Sequence, residues 1–133
     1  MSESNVKGDI GEAAFVFYAT KNGYWVGKMP QDCPYDFVMD DKQGNLKRVQ
    51  VKYRTIEKNG SVRIKIENNT FTNRTSYTEK NIDLFAVYIS DLEKVYLIPI
   101  NECIDVTEVS LRVERPKNGQ TKGVRLLEDY IAL

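Results

Sequence analysis

The order of helix-like and strand-like segments constrains the fold of this 133-residue chain more than any single motif does. A helical apolar pattern covers residues 6–21 and ends at Asn22-Gly23, a pair that commonly stops a helix. Alternating or continuous apolar segments follow, and such segments are typical of strands. The predicted strands cover residues 24–29, 35–40, 47–57, 61–67, 83–90, 94–100 and, as a short candidate, 110–114. One helix followed by a run of strands predicts an α/β or α+β fold with a mixed central sheet.

The segments outside these strands complete the predicted architecture. The helix at 6–21 is apolar nearly all round, so we expect it to be largely buried. Residues 68–81 are polar and have no clear period, which predicts a loop or a short irregular helix. Residues 124–133 are predicted to close the chain as a short helix. The whole length, 1–133, suits a single domain.

The absence of histidine restricts the chemistry that the chain can perform. It excludes Ser-His-Asp and Cys-His hydrolases and every metal site that uses imidazole. Two cysteines cannot form a four-cysteine zinc site, and no glycine-rich phosphate loop is present. Carboxylates, lysine and a hard metal ion remain as the means of hydrolysis.

The sequence also bears on location and partners. No apolar run approaches the roughly 20 residues needed to span a bilayer, and the first residues do not resemble a signal peptide. We therefore expect a cytoplasmic protein without a membrane partner. Cys33 and Cys103 should then be reduced thiols, with a single disulfide as the alternative. The net charge is zero, whereas DNA-binding proteins usually carry a basic surplus. Any DNA binding must therefore depend on how the charge is distributed.

Two carboxylates occupy positions that are unusual for acidic residues. Glu12 lies inside the apolar helix, where a charge is costly unless it is paired or bound to a metal. The alternative places Glu12 at the helix edge, bonded to a backbone group or a lysine. Asp36 lies where a proline-containing loop enters an apolar strand, and aspartate is disfavoured inside strands. The alternative for Asp36 is an ordinary strand-end or turn residue.

Gln50 and Lys52 project from the same face of their predicted strand, because strand side chains alternate. Val49, Val51 and Tyr53 project from the opposite face. The alternative to a functional pair is a solvated strand surface, with polar residues outward and apolar residues inward.

Together these residues resemble the PD-(D/E)xK nuclease superfamily. The shared pattern is a helix acid, an Asp entering a strand, a hairpin, and then X-x-Lys on the partner strand. The chain departs from the strict pattern where Tyr35 separates Pro34 from Asp36 and where Gln50 replaces the second acid. Residues 7–14 resemble the first helix of this superfamily, where a Glu joins the site. The later segments 83–88, 95–99, 111–113 and 117–120 are similar to a small branch that includes a tetrameric group I intron homing endonuclease. That branch is similar in placing Gln at the second-acid position.

The resemblance implies a restriction-endonuclease-like core, in which helices flank the mixed sheet, and hydrolysis of DNA phosphodiester bonds. Its implied catalytic residues are Glu12, Asp36, Gln50 and Lys52. The implied cofactor is Mg²⁺, for which Mn²⁺ can substitute, and its ligands would be Asp36, Gln50, the Val51 carbonyl and Glu12. Lys52 would stabilise the charge that develops at the scissile phosphate.

Basic and polar residues in the middle of the chain are candidate contacts to double-stranded DNA. They can neutralise phosphates or bond to the backbone and bases, and the alternative is a solvated surface. These candidates are Lys47, Arg48, Arg54, Lys58, Arg63, Lys65, Asn73, Arg74 and Tyr77. A double-strand break needs two active sites, so a homo-oligomer, either a dimer or a tetramer, is expected. The apolar tail 126–133 is a candidate interface, with a place in the core as the alternative.

Three functions are consistent with the sequence. The first is a sequence-specific homing endonuclease, as the resemblance implies. The second is a Holliday junction resolvase, which would cleave four-way junctions with little sequence preference. The third is a non-catalytic DNA-binding subunit that kept the fold, and this alternative is favoured by Gln50 and by the neutral net charge.

Overall fold

The computed structural model describes residues 2–69, 74–103, 106–119 and 124–133, and this range contains one α-helix and ten strands. In chain order the elements are α1 (Glu3–Lys21), β1 (Trp25–Lys28), β2 (Phe37–Asp40), β3 (Leu46–Arg54), β4 (Ser61–Lys65), β5 (Glu67–Asn69), β6 (Arg74–Ser76), β7 (Leu84–Ile89), β8 (Lys94–Pro99), β9 (Glu108–Arg112) and β10 (Ile131–Ala132). Two single-turn 3₁₀ segments lie at Ile100–Glu102 and Leu127–Asp129. Across these residues, no helix is long and apolar enough to cross a membrane.

The central sheet has six strands in the order β1-β2-β3-β7-β8-β10. Strands β3 and β7 run parallel, with Gln50 paired to Phe85, and the other neighbouring strands are antiparallel. The mixed central sheet of an α+β fold is therefore confirmed. The parallel pair requires a long connection, and β4, β5 and β6 lie within it.

The two faces of the sheet are covered by different structures. On one face, Phe15 and Ala19 of α1 pack with Phe37, Met39 and Val49. On the other face, the antiparallel pair β4–β9 contributes apolar side chains to a second cluster that includes the β7 residue Phe85. Among the described residues, the α-helix therefore flanks one face of the sheet, and the β4–β9 pair packs on the other.

Helix α1 begins earlier than predicted and is far more exposed. The Ser2 hydroxyl accepts a hydrogen bond from the Asn5 backbone N–H at 3.3 Å and caps the helix. Only Gly11, Phe15 and Ala19 are buried in α1, and Phe17 is 60% exposed. The prediction of a largely buried helix is wrong because the sheet covers a single narrow stripe, and apolar residues elsewhere on the helix face outward.

Two other sequence-based expectations are wrong. The predicted closing helix at 124–133 is a single 3₁₀ turn followed by β10, which pairs Ile131 with Leu97 at the edge of the sheet. The predicted loop or irregular helix at 68–81 contains strands, since β5 and β6 form an antiparallel pair. Residues 70–73 of that segment lie outside the described residues. The tail 126–133 belongs partly to the core, because Leu126 and Leu127 are buried, whereas Ile131 is exposed.

The turn at residues 58–60 and the two thiols agree with expectation. Gly60 adopts φ +82°, and the Glu57 N–H donates to the Ser61 carbonyl at 2.9 Å, which closes the predicted turn. Cys33 and Cys103 are both free, as predicted, and Cys103 is buried.

A network of hydrogen bonds and an ion pair links β3 to the residue that precedes β7. The Arg48 guanidinium meets both carboxylate oxygens of Asp83 at 3.1 Å and also donates to the carbonyls of Glu79 and Lys80, at 2.6 and 2.7 Å. The Arg48 backbone N–H donates to the Asp83 carboxylate as well, at 2.7 Å. This pairing raises the pKa of Arg48 and lowers that of Asp83. The network stabilises the only parallel pair of the central sheet.

We expect Arg48→Met to lower the free energy of unfolding by about 2 kcal/mol, because it removes several charge-assisted hydrogen bonds and keeps the length of the side chain. Urea denaturation measures this change. The matched control is Arg115→Met, since Arg115 meets Glu128 at 3.5 Å with both side chains exposed, and it should change stability by less than about 0.5 kcal/mol. Equal effects of the two substitutions would contradict the structural role of Arg48.

Candidate active site

The candidate site lies where β2 and β3 separate. The Asp36 backbone N–H donates to the Val49 carbonyl at 2.9 Å, and ladder pairing begins at the next residue, Phe37. Beyond this point Val51 has no β2 partner. Its N–H donates instead to the Asp36 carboxylate at 3.0 Å. The local separation of the two strands therefore holds the Asp36 side chain against the exposed edge of β3.

The same separation directs a backbone carbonyl toward the site. In an extended strand, the N–H and C=O of one residue point to the same side. Since the Val51 N–H points to Asp36, the Val51 carbonyl lies along that edge too. Gln50 and Lys52 flank Val51 and project from the face opposite α1, where they are half-buried.

Lys52 has an apolar environment. Its ammonium nitrogen lies 5.4 Å from the ring centre of Phe85 and 5.8 Å from that of Tyr77. Burial lowers the pKa of Lys52 to about 8, the charges of Arg54 and Lys65 lower it as well, and Asp36 opposes the shift. The alternative of a solvated strand surface is therefore wrong for Lys52.

Glu12 reaches the site from α1 and is paired with a lysine. It forms an ion pair with Lys28, the last residue of β1. The Lys28 ammonium group also lies over the Phe37 ring, 5.6 Å from its centre. The hydrogen bond that Lys28 donates to the Glu12 carboxylate raises the pKa of Lys28, and the charge of Asp36 acts in the same direction. The helix-edge alternative, in which Glu12 bonds to a lysine, is what the structure shows.

Lys28 was missed by the sequence analysis, although a signal for it exists. In the β1–β2 ladder Lys28 pairs with Phe37, the residue directly after Asp36. A prediction that paired these two strands in register would have placed Lys28 next to the site.

The pKa of Asp36 is shifted by burial and by several neighbouring charges. Burial raises the pKa of Asp36, and repulsion by Glu12 raises it further. The hydrogen bond from Val51 and the charges of Lys28 and Lys52 lower it. The structure thus brings Glu12 and Lys52 close enough to Asp36 to shift its pKa, and Gln50 lies two residues before Lys52 on the same strand face.

The donor atoms of this site fit a hard divalent cation. They are two carboxylates, one side-chain amide and one backbone carbonyl, which are the oxygen ligands that Mg²⁺ prefers. Within the described ranges, no three or more His, Cys, Asp or Glu side chains form a denser metal-binding group. A site with so few carboxylates suits Mg²⁺, which keeps several of its waters when bound.

Two predicted DNA contacts adjoin the site. Arg54 and Lys65 lie close enough to Lys52 to lower its pKa. With Arg63, Glu57 and Glu108 they line a cavity of about 370 Å³. The Arg54 guanidinium donates to the Arg63 carbonyl at 2.9 Å, and Arg63 itself is paired with Glu57 and Glu108.

The other predicted DNA contacts are more dispersed. Lys47 and Lys58 are exposed. The Arg48 guanidinium bonds to Asp83, and Tyr77 is buried against Phe85 at a ring separation of 5.6 Å. Asn73 lies outside the described residues, and Arg74 is described only as part of β6. Their roles in DNA binding stay predictions.

Comparisons with known proteins identify the family of the chain. A family model described as PD-(D/E)XK endonuclease matches residues 2–133. The chain therefore belongs to the PD-(D/E)XK endonuclease family, and its fold is that of a nuclease. The resemblance drawn from the sequence is confirmed.

A solved structure is similar over nearly the full length. It is a bacterial homing endonuclease, I-Ssp6803I, with 29% sequence identity and a TM-score of 0.77. The similarity covers 97% of this chain and 88% of that one. No curated protein matches the chain.

Proposed function

We propose that this protein is a Mg²⁺-dependent endonuclease that cleaves double-stranded DNA at a specific sequence, as a homing endonuclease does. The observation that carries the proposal is the juxtaposition of the Asp36 carboxylate, held by the Val51 N–H, with the partly buried Lys52 ammonium. Family membership and the similarity to I-Ssp6803I support it. The neutral Gln50 is compatible with catalysis because its amide oxygen can still bind a metal ion.

Four groups of the site would bind the metal ion. Asp36, Glu12, the Gln50 amide and the Val51 carbonyl would hold the metal ion, and Mn²⁺ would substitute for Mg²⁺. When bound, the ion supplies a Lewis acid and lowers the pKa of a coordinated water. Asp36 is the central ligand because its carboxylate is fixed by a backbone hydrogen bond.

Lys52 would stabilise the negative charge that develops on the phosphate in the transition state. The rings of Phe85 and Tyr77 keep its ammonium group in place before the substrate arrives. With a pKa of about 8, Lys52 carries its proton at neutral pH. Arg54 and Lys65 continue the positive surface away from Lys52 and would bind adjoining phosphates.

The test is cleavage of long DNA of diverse sequence by the full-length protein, with Mg²⁺ and with the metal chelated. Discrete fragments that require Mg²⁺ support the proposal. Preferential cutting of synthetic four-way junctions at unrelated sequences would instead favour a junction resolvase. Binding of DNA without cutting of either substrate, in Mg²⁺ or Mn²⁺, would favour a non-catalytic DNA-binding subunit.

We further propose that the protein acts as a homo-oligomer assembled through the outer face of α1. This face presents Val6, Ile10, Val16 and Phe17, which are 36–60% exposed. Ala13, Val16 and Phe17 also line an apolar groove with Thr20 and Lys21. A second copy is the occupant we favour, because one 15.3 kDa chain carries one site and a double-strand break needs two.

Phe17→Glu is expected to shift the oligomer toward monomer, because it places a charge in the centre of the apolar face. Light scattering coupled to size-exclusion chromatography measures the mass. The matched control is Trp25→Glu, since Trp25 is 63% exposed on the edge strand β1 and projects from the face opposite Val26, which packs on the α1 side, and it should leave the mass unchanged. An unchanged mass for Phe17→Glu would contradict this interface.

A further inference from the structure

Lys28 approaches the site from the solvent side. Its side chain is 67% exposed, whereas that of its partner Glu12 is 27% exposed. The ammonium group lies between the Glu12 carboxylate and the ring of Phe37, the residue after Asp36. Lys28 therefore contacts one of the two proposed acidic metal ligands and adjoins the other.

The formal charges of the two acids and the two lysines at the centre of the site balance. Glu12 and Asp36 are negative, Lys28 and Lys52 are positive, and Gln50 is neutral. A divalent cation that enters this site is repelled by two ammonium groups. Of the two, Lys52 is held among aromatic rings, whereas Lys28 is an exposed lysine on a flexible stem at the end of a strand. Lys28 is thus the positive charge that can move away.

We propose that Lys28 is a positioning residue that occupies Glu12 in the metal-free protein and competes with the divalent cation for that carboxylate. This inference rests on the proposed function, since it takes Glu12 and Asp36 as the metal ligands. Binding of the metal ion breaks the Lys28–Glu12 ion pair and turns Glu12 toward the ion. Lys28 therefore sets the metal concentration that the enzyme requires.

The test is calorimetric titration of the full-length protein with Mn²⁺, without DNA, so that affinity is measured apart from activity. Lys28→Met should bind Mn²⁺ about tenfold more tightly at low salt, because Glu12 then has no ion-pair partner to release before it binds the metal ion. The gain should shrink at high salt, since Lys28 is exposed. Lys28→Arg should bind like the wild type. Lys94→Met, which removes an exposed lysine of β8, should also leave the affinity unchanged.

A second pair of variants tests whether Lys28 affects metal affinity through Glu12. In a Glu12→Gln background, Lys28→Met should give only a small gain, because the competed carboxylate is gone. An equal gain in both backgrounds, or an unchanged or weaker affinity for Lys28→Met alone, would overturn the inference. Asp36→Asn separates this failure from that of the proposed function. If Mn²⁺ binding depends on Asp36 but not on Lys28, the inference about Lys28 is wrong and the proposed metal site stands. If Mn²⁺ binding is unchanged by Asp36→Asn, or if the protein does not bind Mn²⁺, the proposed metal site is wrong.

Discussion

Replacing Asp36 by asparagine is expected to reduce Mg²⁺-dependent DNA cleavage by about a thousandfold or more, because it removes one of the two carboxylates that the described residues offer to the metal ion. The substitution is nearly isosteric, and the asparagine carbonyl can still accept the hydrogen bond from the Val51 N–H. The fold should therefore be kept. Single-turnover cleavage of DNA that contains the target site measures the loss.

Two further measurements make this result specific. Asp32→Asn is the matched control, since Asp32 is an exposed aspartate in the same loop, and it should cleave at the wild-type rate. Binding of Asp36→Asn to uncleaved DNA should stay within a few fold of wild type, because the substitution removes negative charge from the proposed DNA-binding surface. Cleavage by Asp36→Asn at a rate near that of the wild type would show that Asp36 is not a residue of the active site.

The part of the site that could be predicted from sequence depends on local geometry. Gln50 and Lys52 share a strand face because strand side chains alternate, and this holds whatever the rest of the fold does. Asp36 follows a proline-containing loop and directly precedes β2, so its position at a strand end could also be predicted. Adjacent strands and a short hairpin then bring these residues together without any distant contact.

The features that were missed depend on distant parts of the chain. The burial of Lys52 comes from Tyr77 and Phe85, which lie 25 or more positions away in sequence. The exposure of Phe17 depends on which side of α1 the sheet covers, and helical periodicity cannot decide this when both sides are apolar.

The prediction for the C-terminal segment is wrong for the same reason. Residues 124–133 have no strong strand pattern, but β8 offers a free edge, and the Leu133 N–H bonds to the Val95 carbonyl at 2.8 Å. Pairing with that edge satisfies backbone groups that an isolated helix of this length would satisfy poorly. The tertiary structure therefore overrides the local preference.

Lys52→Met is expected to stabilise the metal-free protein at neutral pH while it abolishes cleavage. The pKa of Lys52 falls from an unfolded value of 10.5 to about 8 in the folded protein. Below pH 8 the folded state therefore bears the full cost of a buried ammonium group, on the order of 3 kcal/mol. Methionine fills the same apolar space beside Phe85 and Tyr77 without a charge. We expect a gain of about 2 kcal/mol at pH 7.

The pH dependence separates this electrostatic cost from simple packing. Between pH 8 and 10.5 the unfolded chain binds more protons than the folded one at Lys52, so the stability of the wild type rises with pH relative to the variant. The advantage of Lys52→Met should accordingly shrink to about 1 kcal/mol or less at pH 10. Urea denaturation at the two pH values measures the difference, and Lys94→Met, at an exposed lysine of β8, should show neither effect. A destabilised Lys52→Met at pH 7, or an advantage that is independent of pH, would show that the ammonium group carries no cost in the fold. A genuine cost identifies Lys52 as a residue retained for its chemistry.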